Sequence, residues 1–199
     1  MMLIEQTQVP DTALPVAEFR DHLQLGSGFA DDGLQDAVLT SQLRAALGAV
    51  EGETGKILLP RTYQYVLTAW WDHTCQSLPV APVSAIQSFT IVNLGGDADV
   101  IDVGSYRLRP DTHAPALVAN SWSLPTIPVG GTAEIVFDAG YGAVWADAPP
   151  DLRQAVLMLA THYYENRSAV GGRALAMPKG PAAICARYKP IRIFGGGRK

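Results

Sequence analysis

The sequence predicts an α+β chain with a helical bundle core, an inserted antiparallel β domain and an extended C-terminal arm. Three observations predict it. Apolar residues recur at helical spacing in two stretches, around Leu39–Val50 and Leu152–Tyr163; between them, from about residue 56 to 138, the period changes to two; beyond residue 167 the chain turns basic and rich in glycine. The expected divisions are 1–55 for the N-terminal helices of the bundle, 56–138 for the β-rich insertion, 139–170 for a corner and the long C-terminal helix, and 171–199 for the basic arm.

A polar lead opens the chain and gives way to Leu14–Leu23. There Pro15 near the start and Val16, Phe19 and Leu23 at helical spacing predict a short amphipathic helix. The loop Gly26-Ser27-Gly28-Phe29-Ala30 ends it. Asp31 or Asp32 then caps a long helix running to Thr54, with Leu39, Leu43, Ala46, Leu47 and Val50 on one face and Gly55 as its stop. The other face carries Leu34, Val38 and Ala45, and the alanines and Gly48 permit close helix packing. That is more apolar surface than one contact requires.

After Gly55, Thr62, Gln64, Val66 and Thr68 alternate with Tyr63, Tyr65 and Leu67, which predicts a strand with one aromatic face. Pro82–Val92 is β-rich, Leu94-Gly95-Gly96-Asp97 is a turn, and Tyr106–Arg109 is a short strand stopped by Pro110. Thr132–Asp138 places Ala133, Ile135 and Phe137 on one face. The stretch Asp138-Ala139-Gly140-Tyr141-Gly142 then makes a tight strand-to-helix corner, because glycine adopts backbone shapes that other residues resist. It lacks the Lys-Ser/Thr of a P-loop and a complete dinucleotide fingerprint, so no nucleotide site is expected.

The best-signalled helix spans Pro149–Arg167. Two prolines open it, Asp151 and Arg167 complement its dipole, and Gly171-Gly172 lie beyond its end. Leu152, Val156, Leu159 and Tyr163 form the core stripe, while Leu157 and Tyr164 lie roughly opposite. A helix apolar nearly all round needs cover on both sides, from a large core or from a neighbouring subunit. The neighbour is the expectation for a chain of this size.

With 199 residues, 48% hydrophobic and 17% charged, the composition is that of an ordinary soluble chain with material for one sizeable core. No basic leader precedes an apolar run, and no apolar segment approaches about 18 residues, so neither secretion nor a membrane span is expected. Cys75 and Cys185 read as small buried thiols. His22, His73, His113 and His162 are scattered, no nucleophile elbow occurs, and catalytic residues, cofactors and metals are all expected to be absent.

The net charge of −4 conceals a division. The residues after 167 hold 7 basic side chains and no acidic one, giving +7, whereas the first 167 hold the other 8 basic and all 19 acidic ones, giving −11. Such a tail seeks an acidic protein surface or nucleic acid, or else folds onto its own acidic body. Within it Pro181–Lys189 suggests one or two helical turns, and Pro190-Ile191-Arg192-Ile193-Phe194 an extended strand able to join a partner sheet.

The order of parts, together with Phe137-Asp138-Ala139-Gly140-Tyr141-Gly142, Pro149-Pro150-Asp151-Leu152-Arg153-Gln154-Ala155 and His162-Tyr163-Tyr164-Glu165-Asn166-Arg167, resembles the head-to-tail connector (adaptor) proteins of long-tailed phages. The adaptor of bacterial gene transfer agents is the nearest likeness, and it covers nearly the whole chain. The resemblance implies a virion structural protein that is assembled in the cytoplasm and forms a ring, typically of twelve subunits, under the portal at the capsid vertex. It implies a DNA channel without sequence-specific binding, a tail-side connector or stopper below, and no membrane. In that family the carboxyl-terminal arm engages the portal, which assigns portal contact to Arg187, Tyr188, Lys189, Ile191, Arg192, Ile193 and Phe194. A rotationally symmetric ring needs two unlike patches per subunit, and Leu34, Val38, Leu157 and Tyr164 are the expected subunit interface. The alternative function is nucleic-acid binding through the basic arm, by salt-sensitive phosphate contacts.

Overall fold

Period-two alternation becomes antiparallel sheet with its own apolar cluster, and helical spacing becomes a second, separate cluster of helices. The computed structural model describes residues 1–25, 35–167 and 176–189 and is a mixed α+β structure. In chain order its main elements are β1 (Met2–Glu5), α1 (Val16–His22), α2 (Asp36–Thr54), β2 (Arg61–Leu67), β3 (Cys75–Ser77), β4 (Val83–Val92), β5 (Ala98–Val100), β6 (Tyr106–Arg109), β7 (Ala116–Ala119), β8 (Thr132–Ala139), α3 (Pro150–Glu165) and α4 (Lys179–Tyr188). Five strands form one sheet in the order β1-β2-β8-β4-β5, and three form a second in the order β3-β7-β6.

The central strand β8 alternates strictly, with Ala133, Ile135, Phe137 and Ala139 buried. Its neighbour β2 turns Tyr63, Tyr65 and Leu67 inward, and Tyr63 pairs in register with Phe137, their rings stacked at 6.0 Å between centroids. Burying one such ring contributes about 2–3 kcal/mol, so this face holds the β cluster together. The smaller sheet closes over it: Tyr106 of β6 meets Phe89 of β4 edge-to-face at 5.5 Å.

The helical cluster is separate. Phe19 of α1, Leu39, Leu43, Ala46, Leu47 and Val50 of α2, and Leu152, Val156 and Leu159 of α3 are all buried together, with Cys185 of α4. These are the residues the helical spacing selects. Gly55 ends α2 in a left-handed conformation (φ 66°), its N–H donating to the Glu51 carbonyl at 2.7 Å. At the corner, Gly140 has φ 147°, and a Cβ there would come within 2.6 Å of Pro60 Cα.

The structure departs from the expected elements in three places. The polar lead begins with a strand, β1, which pairs with β2 from Met2↔Val66 to Glu5↔Tyr63, so the first residues belong to the β sheet and cross the expected division at residue 55. Arg44 of α2 pins the rest of the lead by donating to the Val9 carbonyl and the Asp11 carboxylate, each at 2.6 Å. The expected one or two turns at 181–189 are a ten-residue helix, α4, lying antiparallel along α3. Finally, α3 does not need a neighbour to cover its second side. Leu157 is only 4% exposed and lies in the chain's own helical cluster, which draws on Leu58, Leu59, Trp145 and Ala148 from the connecting segments as well as on the other helices.

Candidate functional site

The site is built on the N-terminal turn of α3. Pro149 and Pro150 start this helix, and Asp151 sits in its first turn, where the free backbone N–H groups and the helix dipole favour a negative side chain. α4 runs back along α3 in close contact: a Cβ on Gly180 would come within 2.7 Å of the Met158 methyl. Its last turn thereby reaches Asp151. The Tyr188 hydroxyl donates to Asp151 Oδ1 at 2.5 Å, and Arg187 Nη1 lies 3.5 Å from Oδ2. One residue further, the Lys189 ammonium pairs with Glu53 in the last turn of α2. Burial, with the Asp151 contact behind it, pushes the Tyr188 phenol up to about 12.

Arg187, Tyr188 and Lys189, expected to reach a partner, are therefore tied to the chain's own carboxylates on two helices. At these three residues the described part of the basic tail meets the chain's own acidic side chains. Ile191, Arg192, Ile193 and Phe194 of the expected arm lie outside the described residues, as does Leu34.

The second surface is the outer face of α2. Val38 is 40% exposed, and Ala37, Ser41, Ala45, Gly48 and Gly52 are exposed beside it, with nothing within 4 Å of a Cβ at either glycine. Small side chains along one helix face allow another element to approach the backbone closely. Of the four expected interface residues, Val38 lies on this open face. Leu157 is enclosed, and Tyr164 is half-buried against the helical cluster with the Arg167 guanidinium 4.6 Å from its ring centroid.

Sequence reasoning missed the joint between the two layers. Glu51 in α2, Arg61 at the start of β2 and Glu5 at the end of β1 form a chain of charge: Arg61 Nη2 binds Glu51, Arg61 Nη1 is 3.2 Å from Glu5, and Glu51 Oε1 accepts the Leu58 N–H at 2.8 Å. Burial, the largest influence, raises the Glu51 pKa above the ordinary glutamate value, while Arg61 and the Leu58 amide pull it back. Lys56, fully buried two residues beyond α2, donates its ammonium to the Thr112 carbonyl. The available signal was Glu51 itself, which directly follows the core residue Val50 on a buried turn.

Both cysteines are free thiols, Cys185 buried and Cys75 half-buried. Among the described residues no three His, Cys, Asp or Glu side chains converge as metal ligands, and no helix is long and apolar enough to cross a membrane. The arrangement offers interfaces: an open helix face, and a C-terminal helix clamped at its far end.

No family model matches the chain, and no curated protein does. Among solved structures it is similar to a chain from the neck of an empty gene transfer agent particle computed with C6 symmetry, at 48% identity over 98% of this chain and 99% of that one, with a TM-score of 0.88. A chain from the virion of a native gene transfer agent particle is similar at 48% identity, the same coverage and a TM-score of 0.86. A third, from the neck of a native particle computed with C12 symmetry, has 44% identity over 98% and 99% of the two chains and a TM-score of 0.84.

Proposed function

The chain belongs to the family of neck proteins of gene transfer agent particles, and from that premise we propose that it is the adaptor subunit of the head-to-tail connector. The observation that carries this reading is the likeness over essentially the whole of both chains, sheet, helices and corner together. Copies form a ring of twelve between portal and tail, through which DNA passes. The C6 and C12 symmetry under which the similar necks were computed supports a ring. The open face of α2 is one side of the subunit contact, since a heterologous ring joins unlike patches. The role is structural, without catalysis or a cofactor.

In this reading α4 is the anchor and the segment after Lys189 is the reach. The pairing of Tyr188 with Asp151 and of Lys189 with Glu53 ties the end of α4 to the body. Those residues carry Ile191, Ile193 and Phe194 between basic groups, a composition suited to adding a strand to a portal sheet. Deleting residues 190–199 tests it: the truncated protein keeps its circular dichroism spectrum and ceases to co-sediment with purified portal. Undiminished co-sedimentation refutes the assignment of the arm, and a salt-sensitive shift of plain duplex DNA by the intact protein, lost on truncation, favours nucleic-acid binding instead.

A further inference from the structure

We propose that the end of the β region remote from the helices is a docking surface for a second protein of the particle, one that presents a basic, apolar segment. β2 and β4 run away from the helical layer and β8 runs back towards it, so the segments 68–74, 93–97 and 120–131 gather at one end. Trp70 Nε1 donates to the Pro125 carbonyl at 2.7 Å, the Leu124 N–H to His73 at 2.7 Å, and the Asp97 N–H to the Asn93 side chain at 3.0 Å. The loops are thus fixed in place.

On this fixed frame stand four large apolar side chains that the fold does not use. Trp71 is 94% exposed, Trp122 96%, Leu94 79% and Val129 98%. Trp70 does the packing for its neighbour, meeting Phe89 edge-to-face at 5.7 Å. An indole held on a preorganised loop loses little freedom on binding and is the side chain most enriched at interface hot spots. Between the 93–99 turn and the 125–128 segment a cleft of about 320 Å³, lined by Ile91, Pro125 and Pro128 with Asp97 and Asp99, offers an apolar seat with carboxylates beside it.

Charge selects the occupant. These loops carry Asp72 and Asp97, the adjoining strand β5 adds Asp99, and none of them holds a lysine or arginine; Arg107, which reaches their base, donates to Asn120 at 2.9 Å. Such a surface repels DNA and anionic lipid and favours a basic protein. A second copy of the chain fits poorly, because its own loops here are equally acidic, its Arg187 and Lys189 are already paired, and its basic, apolar residues 190–199 are assigned to the portal in the reading above.

The proposal rests on the chain lying in the particle neck, and the experiment separates the two. Intact particles are treated with a carboxylate-activating, zero-length cross-linker and digested for mass spectrometry. The expected products join Asp72, Asp97 or Asp99 to lysines of a different particle protein, fall at least tenfold in the W71S/W122S variant, and accompany an unchanged Glu53–Lys189 link within the chain. Links from these aspartates only to lysines of this same chain overturn the proposal, as does their absence when the Glu53–Lys189 link forms. Particles containing neither the chain nor that internal link overturn the neck reading instead.

Discussion

The Tyr188 hydroxyl, in the last turn of α4, donates to the Asp151 carboxylate, in the first turn of α3, at 2.5 Å. This contact joins the last turn of α4 to the start of α3.

Tyr188→Phe keeps the ring and removes the bond. It is expected to cost about 1 kcal/mol, below the usual range for a bond to a charged group because the site is half exposed. Urea denaturation checks the magnitude, and amide exchange in 179–188 should quicken more than in α2. The phenol, held at about 12 in the fold against 10.0 when free, is neutral throughout the physiological range. Its contribution is therefore complete below pH 10 and disappears as pH rises from about 10 to 12. The difference between wild-type and variant tyrosinate absorbance should place one phenol in the upper part of that window.

Arg61→Ala tests the joint between helices and sheet. It leaves Glu51 buried without its counter-charge, which costs about 3–5 kcal/mol. Burial already raises the Glu51 pKa above 4.5, and loss of the guanidinium raises it further. A carboxyl that binds its proton more tightly in the fold contributes stability below its unfolded pKa and loses it as pH rises through the folded value. The deficit of Arg61→Ala should accordingly shrink as pH falls towards 4 and be largest at neutral pH, measured as thermal midpoints across that range. The double variant with Glu51→Gln should recover part of the loss at pH 7.

Gly48 lies mid-helix on the open face of α2, with nothing within 4 Å of a Cβ. Gly48→Ala should raise the stability of the isolated chain by about 0.5–1 kcal/mol through helix propensity alone. Gly48→Trp should leave the isolated chain folded and block ring formation, read by sedimentation velocity in the presence of portal. A bulky residue there that leaves assembly intact removes α2 from the subunit contact.

Which of these features the sequence reveals follows from how each is held. Leu39, Leu43, Ala46, Leu47 and Val50 are buried together because a long periodic helix needs no distant partner to declare its face. Ala133, Ile135 and Phe137 were legible for the same reason at period two. β1 was not: its four residues are all exposed, show no alternation, and are held by the β2 ladder rather than by burial of their own. β3 and β7, of three and four residues, are too short to carry a period. The cluster that encloses Leu157 draws partly on Leu58, Leu59 and Trp145, connecting residues whose destination no local pattern announces. The clamp on α4 is legible as chemistry but not as pairing, since Asp151 and Glu53 stand far from Tyr188 and Lys189 in the chain and only the packing of α4 on α3 brings them together.

The central claim is that copies of this chain complete one another around an axis and seat on the portal. Electron microscopy of the purified protein mixed with purified portal measures it directly. The expected image is a second ring stacked coaxially on the portal, its subunits meeting along α2. Portal rings left bare, with the protein monomeric beside them at saturating concentration, contradict it.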